Sequence, residues 1–410
     1  MLGPTRHQFD LGIQPLSVEL GYKERLTQRF RAMQSGRVPV VFSLMHLAKL
    51  SGVRWQFLRA VVGRERLGQD YKVYPIKKAS GGERRICVPS VELRAVQHWI
   101  AENVLRSPGA TARLNSASHA YADGCSILKN AREHAAAPWM VKIDIHDFFE
   151  SISERQVFWV FLQLGYPALL AFEMARICTR VPPPAARNRT RPRDAKWRWH
   201  QHNYGHFSSP YLADRIGNLP QGAPTSPMLS NLIAVEMDER VTEIASAFDA
   251  VYTRYADDLV ISFARADKDV CERVLSAVRV VLGKYGLVLN RKKTRVLGPG
   301  ARKTVTGLVV NDRQPRLKRQ TKNHIEVALH YVERKGLIGQ AQYVQANHPI
   351  AYLNHLSGLI QFARWVEPSF GDKAFERLRA IYDKNAELLS ILAEFGSTED
   401  FAVRYRARFT

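Results

Sequence analysis

Thr253-Arg254-Tyr255-Ala256-Asp257-Asp258-Leu259-Val260-Ile261-Ser262 sets two adjacent carboxylates between runs of β-forming residues. Val251 and Tyr252 precede the run and Phe263 extends it, so the stretch reads as a tight hairpin with the acids at its turn. Two like charges this close repel, and one is pushed towards protonation unless positive charge sits beside them. Hard oxygen donors at a turn suit Mg²⁺. A solvated turn explains the same residues, because Asp is a common turn former.

Upstream, Trp139-Met140-Val141-Lys142-Ile143-Asp144-Ile145 is an apolar strand with a carboxylate near its C-terminal end. An acid inside a β-run is unfavourable unless it faces a cleft or a cation. Phe148, Phe149 and Ile152 follow at helical spacing, so the strand hands over to a helix. Further upstream, Tyr71 to Lys78 and Arg84 to Val88 read as two strands around the turn signal Ala79-Ser80-Gly81-Gly82-Glu83. Lysines entering and arginines leaving a glycine tip suit a phosphate clamp, and an exposed basic hairpin accounts for them equally. Leu219-Pro220-Gln221-Gly222-Ala223-Pro224-Thr225-Ser226-Pro227 is a rigid loop of small residues that lets a nucleobase approach the backbone closely.

The 410 residues carry 60 Lys and Arg against 38 Asp and Glu, a formal net charge of +22. That imbalance concerns partners, and nucleic acid is the polyanion it favours. From Arg291 to Lys322 there are eleven bases and one acid, Asp312, too one-sided for an ordinary solvated face. A second basic stretch, residues 180–218, mixes prolines and arginines with Trp197, Trp199 and Tyr204 and reads as a surface insertion. Residues 1–70 read as a basic helical lobe, and helices return from about residue 315. The four cysteines, Cys87, Cys125, Cys178 and Cys271, have no metal-ligand or disulfide spacing. With a polar start and no apolar run long enough for a bilayer, the expectation is a cytoplasmic protein with no membrane partner.

Asp144, Asp257 and Asp258 lie on separate strand elements. Converging, they would hold two Mg²⁺ ions about 3.5–4 Å apart, the arrangement that supports in-line nucleotidyl displacement. Tyr255-Ala256-Asp257-Asp258 resembles the YxDD box of reverse transcriptases. Ile143-Asp144-Ile145-His146-Asp147-Phe148-Phe149 resembles their first palm motif. Leu219-Pro220-Gln221-Gly222 resembles the loop before the palm helix, and Leu287 to Thr294 resembles their GLxLNxxKT segment. Asn130-Ala131-Arg132-Glu133-His134 and Val305-Thr306-Gly307 are similar to the NAxxH and VTG elements of the retron branch.

The resemblance implies an α+β right-hand polymerase. Its parts would be an N-terminal helical region (1–70), fingers and an antiparallel-sheet palm (71–314, with the 180–218 insertion), and a helical thumb (315–410). It implies that Asp144, Asp257 and Asp258 are the catalytic, metal-binding acids, served by two Mg²⁺ with Mn²⁺ as a substitute. Lys78, Arg84, Phe149, Gln221, Gly222 and Lys293 would line the nucleotide site, with Phe149 crowding a ribose 2′-OH. Asn130, His134, Val305, Thr306 and Gly307 would help recognise a cognate structured non-coding RNA, and Lys318, Arg319 and Lys322 extend that basic surface. The implied function is synthesis of a branched RNA–DNA hybrid from an internal 2′-OH, using dNTPs, in anti-phage defence beside an effector or toxin protein. Another bacterial reverse transcriptase (group II intron-like, diversity-generating or abortive-infection type) and a non-catalytic RNA-binding scaffold stand as alternatives.

Overall fold

The computed structural model describes residues 20–77, 83–181, 216–346 and 348–384. Lys78, which the sequence nominated for the triphosphate, and residues 182–215 of the basic insertion lie outside the described residues. The chain divides into two compact units. One takes the residues up to Glu133 and Ala137–Ala301; the other takes His134–Ala136 and the residues from Arg302.

In the first unit, α1 (Leu20–Ser35), α2 (Leu44–Ser51) and α3 (Trp55–Val62) come first. Phe30, Met33, Leu47, Leu58 and Val61 recur at turn spacing and are buried in one core with residues of the central sheet. The next pair, β1 (Tyr71–Lys77) and β2 (Glu83–Pro89), forms an antiparallel hairpin that sets Lys77 opposite Glu83 and Ile76 opposite Arg84. Among its described residues only Cys87 and Pro89, at its base, are buried, and Lys77, Arg84 and Arg85 are exposed. The chain then forms α4 (Val91–Trp99), which runs on into a wider π-helical turn at Ile100–Leu105, and α5 (Ile127–Arg132).

The central sheet is antiparallel, in the order β4-β5-β3-β6. Its strands are β3 (Trp139–Asp144), β4 (Ala250–Tyr255), β5 (Asp258–Phe263) and β6 (Arg295–Leu297). Between β3 and β4 come α6 (Phe148–Ser151), α7 (Glu154–Gln163), α8 (Ala168–Cys178), α9 (Ser226–Ile233) and α10 (Val235–Ser246); α11 (Lys268–Lys284) follows β5. Strand β5 is buried from Leu259 to Phe263 and apolar there apart from Ser262, as expected of an inner strand covered on both faces. Met237 and Val241 of α10 and Val274, Val278 and Leu282 of α11 belong to the same core as Val141, Ile143, Leu259 and Ile261. Each fully buried side chain of this size contributes about 1.5–3 kcal/mol.

The ends of the basic insertion are held together. Arg180 and Asn218 exchange two backbone hydrogen bonds of 2.9 Å, so the insertion leaves and rejoins the unit at one point.

In the second unit, β7 (Thr304–Val305) and β8 (Leu308–Val309) form a short hairpin turned by Thr306 and Gly307, both with positive φ. Among the described residues, three helices follow: α12 (Arg319–Tyr343), α13 (Pro349–Val366) and α14 (Pro368–Lys384). Ile325, Leu329, Val332, Leu353, Leu356, Ile360, Leu378 and Ile381 are buried. Arg377 of α14 pairs with Glu326 and Glu333 of α12. The basic run from Arg291 to Lys322 is divided between the units: Arg291, Lys292, Lys293 and Arg295 belong to the first, and its bases from Arg302 onward to the second.

Candidate active site

Two adjacent strand ends build the site. The β3–β5 register sets Asp144 directly opposite Asp258, while Tyr255 pairs with Asp258 and leaves Ala256 and Asp257 as the turn. Ala256 occupies the left-handed region at φ 57°, which a two-residue hairpin turn requires. Beyond β3, the Ile145 N–H donates to the Asp257 carbonyl at 3.0 Å, tying the turn to the strand that carries Asp144.

A third segment straps Asp144. The Asn290 backbone N–H donates to the Asp144 carbonyl at 2.8 Å, and Asn290 Nδ2 donates to its Oδ2 at 3.0 Å. Lys293 Nζ donates to Oδ1 at 2.8 Å. Lys142, on the same face of β3, brings its Nζ to 3.7 Å from Asp258 Oδ2.

Burial raises the Asp257 carboxyl above its usual range, and the charges of Asp258 and Asp144 add to the shift. Asp258 is also raised by burial, against the pull of Lys142. Lys293 is held above the ordinary lysine value, chiefly by its hydrogen bond to Asp144. The site is thus crowded with negative charge that two lysines offset only in part, and its donors are hard carboxylate oxygens. That chemistry fits a divalent cation. Among the described residues, no three His, Cys, Asp or Glu side chains already close on a single point; Asn290 and Lys293 occupy both Asp144 oxygens.

Phe149 is half-buried in α6. Tyr121 lies between it and the carboxylate turn, with ring centroids 6.4 Å from Phe149 and 6.4 Å from Tyr255. Gln221 meets the basic hairpin, its carbonyl accepting the Cys87 N–H at 2.7 Å. Gly222 beside it has φ 111°, and a Cβ there would lie 3.0 Å from the Cys87 carbonyl oxygen. Arg84 is exposed on β2.

Of the remaining nominated residues, Asn130 belongs to the first unit and the others to the second. Asn130 is 1% exposed, and neither atom of its side-chain amide has a hydrogen-bond partner. His134 and Val305 are buried, while Gly307 is exposed. Arg319 is exposed and Lys318 partly so; Lys322 is paired with Glu367 and lies over the Phe370 ring.

Residues the motif reading passed over complete the site's frame: Arg254, Asp238, Asn231, Lys142, Asn290 and Tyr121. A signal existed for Arg254, since an arginine within a β-run raises the same question as Asp144.

Residues 76–323 match the family model described as reverse transcriptase (RNA-dependent DNA polymerase). The Retron Ec86 reverse transcriptase of Escherichia coli is 31% identical over 308 residues, covering 74% of this chain and 82% of that protein. This chain belongs to the retron reverse transcriptases. The Retron Mx162 reverse transcriptase of Myxococcus xanthus is 30% identical over 315 residues, covering 73% of this chain and 59% of that longer protein. Among solved structures, a foamy viral protease–reverse transcriptase in complex with double-stranded DNA aligns with 73% of this chain and 36% of its own, at 16% identity and TM-score 0.38. As a member of its family, this retron reverse transcriptase is an RNA-directed DNA polymerase, a nucleotidyltransferase. Reverse transcriptases work with divalent metal ions. Among the described residues, no helix is long and apolar enough to cross a membrane.

Proposed function

We propose that this retron reverse transcriptase binds its own structured non-coding RNA and copies part of it into DNA from an internal 2′-OH, leaving a branched RNA–DNA hybrid. The observation that carries the catalytic part of this reading is the cross-strand pairing of Asp144 with Asp258, with Asp257 on the adjoining turn; the RNA and the branched product rest on the retron family. In this reading the three carboxylates are the catalytic acids and hold two Mg²⁺, with Mn²⁺ as a substitute. The bound ions supply Lewis acidity at the attacking hydroxyl and at the leaving pyrophosphate.

The chain's own side chains do the rest. Lys293 and Asn290 orient Asp144. Phe149, braced by Tyr121, narrows the space beside the sugar and favours deoxynucleotides. Gln221 and Gly222, backed by β2, line the nucleotide site. Arg84, on β2, and Lys78 hold the triphosphate. Asn130, His134 and Val305 are buried, so in this reading their part in RNA recognition is indirect, and direct contact falls to Thr306, Gly307, Lys318 and Arg319. Lys322, engaged by Glu367, serves the second unit's packing.

The functional division that goes with this reading has fingers and palm at 71–314 and thumb at 315–410. The family and the net charge of +22 support RNA and DNA as partners. A cytoplasmic place and anti-phage work beside an effector protein belong to the same proposal.

The test is to express the protein with its neighbouring non-coding RNA, extract the nucleic acid bound to it, and assay extension with dNTPs. A short branched hybrid is expected. Asp257→Asn should lower synthesis by about 10²–10³-fold, the loss typical when transition-state charge is left unstabilised. Undiminished synthesis by that variant would remove the catalytic assignment.

A further inference from the structure

Arg254 is the largest fully buried side chain among the described residues. Its Nε donates to Asp238 Oδ1 at 2.8 Å, and Nη2 donates to Asp238 Oδ2 at 2.7 Å and to Ser118 Oγ at 3.3 Å. Its Nη1 donates to Asn231 Oδ1 at 3.1 Å and to the Ala256 carbonyl at 3.3 Å. Asp238 is equally inaccessible and also accepts from the Tyr252 hydroxyl at 2.8 Å. The Arg254 backbone N–H donates to the Ala117 carbonyl, and its carbonyl accepts from the His119 N–H, each at 2.8 Å. One residue thereby joins α9, α10 and the 117–119 segment to a single carbonyl of the carboxylate turn.

That carbonyl belongs to the peptide that leads directly into the two acids. Asp257 and Asp258 repel one another, and Asp144 adds to the repulsion. A free two-residue turn would relieve this by rotating the Ala256 peptide and parting the acids. The planar guanidinium, with its orientation fixed by the two-oxygen grip of Asp238, presents a donor that opposes that rotation.

We propose that Arg254, locked by Asp238, is a positioning residue for the polymerase reaction: it fixes the Ala256 peptide so that Asp257 and Asp258 keep the spacing that takes up divalent cations. The inference rests on the reading of those acids as metal-binding groups. A different role is illustrated by the Arg64–Glu154 pair, also buried, whose bonds go to Arg176, Thr179 and Gly217 and to none of the site's carboxylates or their turn.

Arg254→Lys keeps the charge but loses the fork. The double variant Arg254→Met with Asp238→Asn leaves no buried charge and still offers Tyr252 an acceptor. Both are made in the full chain, with Glu154→Gln as the structural comparison. Thermal unfolding is followed first without nucleic acid, as a function of Mg²⁺ and of Mn²⁺; primer extension on an RNA template is then measured across the same titrations.

Both Arg254 variants should fold and need about tenfold more cation for half-maximal stabilisation and half-maximal extension, in line with losses when groups that orient metal ligands are removed. Their kcat should fall while KM for dNTP stays near that of the unaltered chain. Glu154→Gln should lower the unfolding midpoint and leave the cation requirement where it was. An unchanged cation requirement in both Arg254 variants would overturn the proposal. So would failure of both to fold, since that would make the pair a support of the whole core. Asp257→Asn runs in parallel. If it still polymerises, the reading of the acids falls; if it is inactive while both Arg254 variants respond to cation normally, only the positioning role falls.

Discussion

Phe149 and His119 carry the clearest single-residue consequences. Phe149 lies against the rings of Tyr121 and Phe148, 6.4 Å and 5.8 Å between centroids, which limit its freedom to swing away. Phe149→Ala should raise incorporation of ribonucleotides relative to deoxynucleotides by about 10–100-fold, the range that shape alone discriminates; competing single-nucleotide incorporation reads it. Tyr121→Ala should move the same ratio in the same direction by less. His119 is buried in the segment that pairs with Arg254, and burial pushes its imidazole below the ordinary value. The unfolded chain therefore takes up a proton near pH 6.5 while the folded chain resists it, so this residue's contribution to stability is complete above about pH 6.5 and is lost as pH falls below it. Unfolding midpoints measured from pH 7.5 down to 5, a range of roughly one unit or more either side of an ordinary imidazole, should decline less steeply in His119→Asn than in the unaltered chain. Asp144, Asp257 and Asp258 were legible as residues because acids interrupt otherwise apolar β-runs. Arg254 broke the same pattern, yet its partner, Asp238, lies on a helix whose polar residues look no different in sequence from solvated ones.

Between elements, two glycines mark approaches that no side chain fits. Gly222 docks its loop on β2 with φ 111°, where an added Cβ would meet both the Cys87 carbonyl and Ile86 Cγ2 at 3.0 Å. Gly222→Ala should cost about 1–3 kcal/mol from backbone strain alone and loosen the hairpin that Gln221 holds; denaturant unfolding gives the first, and KM for dNTP the second. Gly371 lies where α14 meets α13, and a Cβ there would fall 2.2 Å from the Arg364 backbone nitrogen. Gly371→Ala must part the helices, at about 1–3 kcal/mol. The strands and helices themselves were readable from alternation and turn-spaced apolar residues. The pairing of β3 with both β5 and β6 was not, because its partners come from residues 258–263 and 295–297, far along the chain.

Over the whole chain, the net charge of +22 predicts RNA affinity that falls steeply with salt. Replacing Lys318 and Arg319 with Gln should flatten the plot of log affinity against log salt by about 0.7–0.9 for each phosphate left without its cation. Lys322→Gln should leave that slope alone and instead weaken the second unit by about 1 kcal/mol or less, since its ammonium is spent on Glu367. Filter binding between 50 and 300 mM salt, roughly the range over which exposed charges become screened, separates the two. In sequence these three bases look alike; what differs is the chain near residue 367, which only folding brings to Lys322.

The order of the motifs, the apolar strands, the hairpin turn and the excess of positive charge were properties of the sequence itself, because each depends on neighbours within a few residues. Tertiary structure alone decided that Asn290 and Lys293 grip Asp144, that Asn130 and His134 are buried, and that a buried arginine anchors the turn that bears Asp257. Those contacts join residues up to 149 positions apart. Local periodicity reports which face of an element is apolar, but it carries no record of which distant partner that face, or a single charge upon it, will meet.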